Sequence, residues 1–167
     1  VIQIAPVDLL LRVARATVGA SESPPNTNAG PYVERVLRGT GHGKGAPWCA
    51  AWVTDVGVHA LGDQWPVRKT ASVQQMADWA RDQRCRYVAT KTPAVVGDLF
   101  ALWFPSLKRF AHVGIVTEVS TDGKTVKTIE GNTNADGGRE GWMVAAKVRT
   151  LTDKDRLIRW VQVFPLR

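Results

Sequence analysis

The sequence predicts an α+β fold in which N-terminal helices pack on one antiparallel β-sheet. Three observations carry this reading. Apolar residues recur at helical spacing only as far as about Asp82. From Tyr87 onward the apolar runs become short, rich in β-branched and aromatic residues, and separated by turn signals. Helices first and strands afterwards point to segregated layers rather than alternating βαβ units. The chain has 167 residues, 44% of them hydrophobic, enough for one core, since a domain of about 150 residues buries roughly 70% of its unfolded surface. One domain over residues 1–167 is therefore expected.

The elements follow in order. Val7, Leu10, Leu11, Ala14 and Val18 mark an amphipathic first helix with Gly19 as its stop. Ser21–Gly30 reads as a loop, Pro31 suits the first turn of a short helix through Arg38, and Gly39–Gly45, with four glycines and no apolar residue, is a lead-in. The stretch from Pro47 to Leu61 is apolar on nearly all sides, as a buried central helix would be, and Gly62 ends it. Ser72 and Gln75 fit a capping box, and Val73, Met76, Ala77 and Ala80 mark the buried face of a last helix. Strands are expected at Tyr87–Ala89, Asp98–Trp103, Val113–Val119, Thr125–Ile129, Met143–Arg149 and Leu157–Phe164, with turns at Asp122-Gly123 and Asp136-Gly137-Gly138.

No run approaches the roughly 18 apolar residues of a membrane-spanning helix, so no membrane partner is expected. Val1 in place of Met, and the charges Asp8, Arg12 and Arg15 where a signal peptide needs an apolar centre, point to a trimmed start or a piece of something larger. Two cysteines, Cys49 and Cys85, are too few for a disulfide framework. The net charge of +7 and pI near 9.9 favour a polyanionic partner. Arg81, Arg84, Arg86 and Lys91 form a local basic cluster, but no zinc-finger, RNP or basic-zipper pattern accompanies it. An anionic cell wall and a merely solvated surface fit the charge as well.

Cys49 falls in the first turn of the central helix, where unpaired N–H groups and the helix dipole favour a thiolate. The same residue would also serve as a small apolar filler in a buried helix. A nucleophilic cysteine needs a base and a group that orients the base. His59 lies about 15 Å along the same helix at 1.5 Å per residue and is excluded. His42 sits in the Gly-rich loop and could be a solvated side chain or part of a cleft wall. His112 opens the strand His112-Val113-Gly114-Ile115-Val116. Glu130 and Asn132 share one side of an extended segment and could both orient an imidazole, or be a surface acid and a turn amide.

Four strings in order make the pattern specific: Gly45-Ala46-Pro47-Trp48-Cys49-Ala50-Ala51-Trp52-Val53, Val96-Gly97-Asp98-Leu99-Phe100, His112 to Val116, and Ile129-Glu130-Gly131-Asn132. In these the sequence resembles the CHAP family and, more distantly, the NlpC/P60 peptidases, over about Ala5 to Val163. The resemblance implies a papain-like fold and hydrolysis of peptidoglycan amides by an amidase or endopeptidase of the endolysin kind. It implies Cys49 as nucleophile, His112 as general base, Glu130 as the residue orienting the base, Asn132 as a further polar site residue, and Asp98 as structural. Trp48 and His42 are candidates for substrate binding. The stretch Pro47-Trp48 departs from the glutamine that often precedes the cysteine, which leaves the second oxyanion donor unassigned. Gly39–Gly45 holds no acid for calcium, and no metal or other cofactor is implied. The implied partner is bacterial peptidoglycan, with no nucleic acid, for a monomer acting in the cell wall or periplasm and secreted or phage-encoded. A non-catalytic glycan- or nucleic-acid-binding module and a cysteine hydrolase of protein substrates are the rival readings.

Overall fold

In the computed structural model, residues 4–83, 87–134 and 141–161 are described. Four α-helices come first: α1 (Pro6–Ala16), α2 (Pro31–Arg38), α3 (Cys49–Leu61) and α4 (Val73–Asp82). Six strands follow: β1 (Tyr87–Ala89), β2 (Leu99–Phe104), β3 (Arg109–Val119), β4 (Thr125–Thr133), β5 (Met143–Thr150) and β6 (Arg156–Ile158). They form one antiparallel sheet in the order β1-β6-β2-β3-β4-β5. The α+β expectation is met. Cys85, Arg84 and Arg86, the turn at 136–138 and the end of the last expected strand lie outside the described residues.

Alternation along the strands divides the apolar residues between two clusters. Leu99, Ala101, Val113, Ile115, Ile129 and Ile158 face the helices. Phe100, Val116, Val126 and Leu157 face the other way, under Ala94 and Leu151. The central helix α3 is buried at Cys49 to Thr54, Val56 and Gly57, and it packs on α1, α2, β3 and β4. An all-round apolar sequence is what such a position requires.

One residue sets how closely that helix sits on the sheet. A Cβ built on Gly131 of β4 would lie 2.7 Å from Trp52 Cβ and Cγ and 3.1 Å from Trp48 Cζ3. Gly131→Ala must therefore push α3 off β4. Overpacking of this kind costs about 1–3 kcal/mol, and a thermal unfolding midpoint lowered to match, together with reduced turnover, is the expected outcome.

Three strands differ from the sequence reading by more than one residue at an end, each for a physical reason. β3 begins at Arg109, because Arg109 and Phe110 already pair with Phe104 and Trp103. β4 runs on to Thr133, where the ladder resumes past an irregularity after Glu130; the apolar pattern stops at Ile129, but the backbone pairing does not. β6 ends at Ile158, and Trp160 turns into the core, where its Nε1 donates to Gly97 O at 2.7 Å. The Ser72 cap is half a capping box. Ser72 Oγ accepts from Gln75 N at 3.3 Å, but Gln75 Oε1 accepts from Thr70 Oγ1, and the Ser72 N–H is satisfied by Thr70 Oγ1 instead. Asp98 is fully buried, accepts two bonds from Arg159 at 3.0 and 2.8 Å, and holds the Val95 N–H, a structural role.

Candidate active site

Cys49 is the first residue of α3 and carries a free, buried thiol. Trp48 precedes the helix without a side-chain cap, so no side chain there competes for the first-turn N–H groups. The expectation that Trp48 binds substrate is corrected by its surroundings. It is fully buried, donates Nε1–H to Glu22 Oε1 at 2.9 Å, and meets the Tyr32 ring edge-on. Glu22 in turn accepts the Thr27 N–H. Trp48 is a core residue that ties the start of α3 to the preceding loop.

His112 and Glu130 come from neighbouring strands and meet on one face of the sheet. His112 Nε2 lies 2.6 Å from Glu130 Oε2, with both side chains buried. Gly114 makes room for Glu130 beside Phe100, since a Cβ there would lie 2.7 Å from Glu130 Cγ and from the Phe100 ring. The imidazole is also electrostatically coupled to Cys49, which lines the same cleft. With Nε2 taken by Glu130, Nδ1 is the ring nitrogen left for the thiol.

Behind Glu130 stands a partner absent from the sequence reading. Arg149 of β5 donates Nε–H to Oε1 at 2.8 Å and an Nη2–H to Oε2 at 2.6 Å. Thr128 Oγ1 donates to Oε1 at 2.6 Å. The carboxylate is fully engaged, as a buried charge must be. Alternation along β5 puts Arg149 on the same face as Lys147 and Ala145, and Ala145 pairs with Glu130. That cross-strand register was the missing signal, and it cannot be read from one strand alone.

The charges respond accordingly. Burial alone would lower the His112 imidazole, but its interactions with Cys49 and with the hydrogen-bonded Glu130 carboxylate outweigh it and hold the ring at about 9. Burial alone would raise Glu130, yet the hydrogen bonds from Arg149 and His112 bring it down to about 2. Arg149, Glu130 and His112 form a hydrogen-bonded chain at the floor, with Cys49 next to the imidazole in the cleft lining.

A cleft of about 200 Å³ opens over this array. His42, Ala46 and Pro47 of the Gly-rich lead-in form one wall, and Ala71, Ser72 and Val73 at the start of α4 form another. Arg109, Ala111, His112 and Asn132 complete it. Asn132 is buried in a left-handed conformation, φ 55°, at the irregularity in β4. Among the described residues, no carboxylate lines the cleft. Cys49, His112 and Glu130 are thus brought together; Asn132 and His42 border the cleft; Ser72 and Arg109 border it too, and the sequence had offered Ser72 only as a cap.

The sequence profile of the CHAP domain matches residues 41–132, more than half of the chain, and spans Cys49, His112, Glu130 and Asn132. The chain belongs to the CHAP family. The CHAP chain is similar in fold to the wild-type endolysin LysIME-EF1, with TM-score 0.52 and 16% identity over 94% of this chain and 64% of that one. It is likewise similar to Ly7917, solved with the hydrolyzing product of MDP, with TM-score 0.53 and 16% identity over 91% of this chain and 62% of that one. The chain therefore spans a little under two thirds of the length of either structure. No curated protein matches it. Among the described residues, no helix is long and apolar enough to cross a membrane.

The paired charges of the CHAP site give stability a definite dependence on pH. His112, raised from 6.5 to about 9, contributes in full below pH 6.5 and loses that contribution as pH rises through about 9. Glu130, lowered from 4.5 to about 2, contributes in full above pH 4.5 and loses it as pH falls through about 2. The pair is expected to stabilise the fold most between pH 4.5 and 6.5. Denaturant unfolding across this range on wild type and His112→Gln checks it: the alkaline loss between 6.5 and 9 should be present in the wild type and missing in the variant.

Proposed function

We propose that this chain is a peptidoglycan hydrolase that cuts an amide of the stem peptide by a cysteine mechanism. What supports the reading is the buried Arg149–Glu130–His112–Cys49 array at the floor of an open cleft. A binding module has no use for a thiol and an imidazole aligned in this way, whereas nucleophilic catalysis needs both.

The Cys49 sulfur, as thiolate, attacks the carbonyl carbon and forms a C–S bond. The developing oxyanion is met by the Cys49 N–H at the start of α3, within the field of the helix N-terminus. His112 passes its Nδ1 proton to the departing amine as the C–N bond breaks. Water then attacks the thioester, with the same nitrogen accepting its proton; the C–S bond breaks, the Cys49 thiolate is restored and the acid product leaves. Glu130 keeps Nε2–H in place and stabilises the imidazolium without itself taking the proton. Asn132 and His42 border the cleft as candidate contacts for the stem. The site of action on this reading is the bacterial cell wall.

The test is digestion of purified peptidoglycan of several stem chemistries, with casein alongside, and mass spectrometry of what is released. Fragments whose new termini map to a stem amide are expected. Their masses name the bond, because release of the whole stem from the sugar and cleavage within the stem leave different products. Cleavage of casein with no release from any wall would overturn the proposal in favour of a protein substrate.

A further inference from the structure

A second concavity, of about 620 Å³, lies beside the catalytic cleft and shares Arg109 with it. Its wall is aromatic: the rings of Trp103 and Phe110 stand edge to face at 5.2 Å, and Tyr87 meets Phe110 edge to face at 6.3 Å. Its rim is cationic. Arg81 comes from the end of α4, Lys108 and Arg109 from the β2–β3 connection and the start of β3, and Lys154 and Arg156 from the approach to β6 and its first residue.

Five cations from separate segments converge here, and among the described residues no carboxylate lines the groove. Arg81 is paired with Asp78 at 2.9 Å, and Arg156 is spent on the carbonyls of Asp153 and Asp155 and on the Tyr87 face. Lys108, Arg109 and Lys154 have no ion pair with any described residue. The Asp155 carboxylate does not neutralise them: it is buried, with its oxygens taken by the N–H groups of Trp103 and Thr152 and by the Thr152 hydroxyl. Like charges gathered without counter-charge repel one another and raise the local concentration of anions.

We propose that this groove binds carboxylates of peptidoglycan stem peptides adjacent to the one in the catalytic cleft. The proposal rests on the hydrolase reading above. Continuity through Arg109 makes one polymer the natural occupant of both hollows. Repeated carboxylates suit the three unpaired cations, and the exposed parts of Trp103 and Tyr87 offer flat apolar faces to the atoms between those carboxylates. A groove of this kind would make the chain prefer polymeric wall over short fragments, and more so at low salt.

The experiment is cosedimentation with insoluble peptidoglycan, comparing wild type with a Lys108→Glu/Lys154→Glu variant, whose two side chains are exposed and lie outside the catalytic cleft. Binding is expected to weaken roughly tenfold or more, with the difference shrinking as salt rises. Hydrolysis of a short soluble muropeptide should be unchanged. Equal binding by the two proteins would overturn the proposal. So would a difference that vanishes on walls stripped of phosphate-containing polymers, or tighter binding of duplex DNA than of wall by the wild type. Because binding is read without turnover, a wild type that binds through these lysines yet cuts nothing would sink the hydrolase reading and leave the groove standing.

Discussion

Arg149→Met is expected to lose about 3–5 kcal/mol of stability, equivalent to a drop of roughly 6–20 °C in the unfolding midpoint for a chain of this size. The cause is not the loss of a favourable contact but what is left behind. Glu130 is fully buried, and Arg149 supplies two of its hydrogen bonds and the countercharge that keeps it ionised. With methionine in place, the carboxylate must either stay charged without its partner or take up a proton. Once protonated it no longer holds a cationic His112, and turnover falls with stability. Arg149 is 17% exposed, so water can relieve part of the deficit, which favours the lower end of that range. A second substitution separates the two effects. Glu130→Gln added to Arg149→Met removes the stranded charge, so most of the stability should return while activity does not. Thermal unfolding and peptidoglycan release on the three proteins check this; an Arg149→Met protein as stable and active as wild type would show that Glu130 does not depend on it.

The fold was legible because each element announced itself locally. Helical spacing in Val7 to Ala14, Pro31 at a helix start and the all-apolar run after Cys49 are one-dimensional signals, and the helices form there. Strand ends were less legible. Between Ile129 and Thr133 stand Glu130 and Asn132, polar yet buried; Glu130 is bonded to His112 of β3 and Arg149 of β5, and no hydropathy pattern reports that. The same limit governed the site. Cys49, His112, Glu130 and Asn132 carry a family pattern at fixed order, so they could be named. Arg149 belongs to the same array but stands in a strand of alternating exposed and half-buried residues, where an arginine reads as solvated. Trp48 misled for the opposite reason. Adjacency to a nucleophile suggests a cleft wall, but the residue before a helix can point into the core, and the buried carboxylate of Glu22 draws the indole there.

Cys49→Ala is expected to abolish turnover and leave the fold nearly intact. Alanine is the best helix former, and the change removes one sulfur atom from the first turn of α3, with no disulfide broken. It also takes away the negative charge that helps hold His112 up, so the imidazole should fall toward its ordinary range. Nothing else in the array can replace the lost nucleophile, because Glu130 is committed to Arg149 and His112. Loss of a nucleophile of this kind lowers turnover by roughly 10⁴-fold or more. Cys85→Ala is the control and should stay near wild-type activity. The decisive measurement is release of soluble fragments from purified peptidoglycan by wild type and Cys49→Ala, at matched folded concentration and followed by mass spectrometry. Fragments from the wild type alone are the predicted result; equal release by Cys49→Ala would contradict the account and show that the buried array is not the catalytic centre.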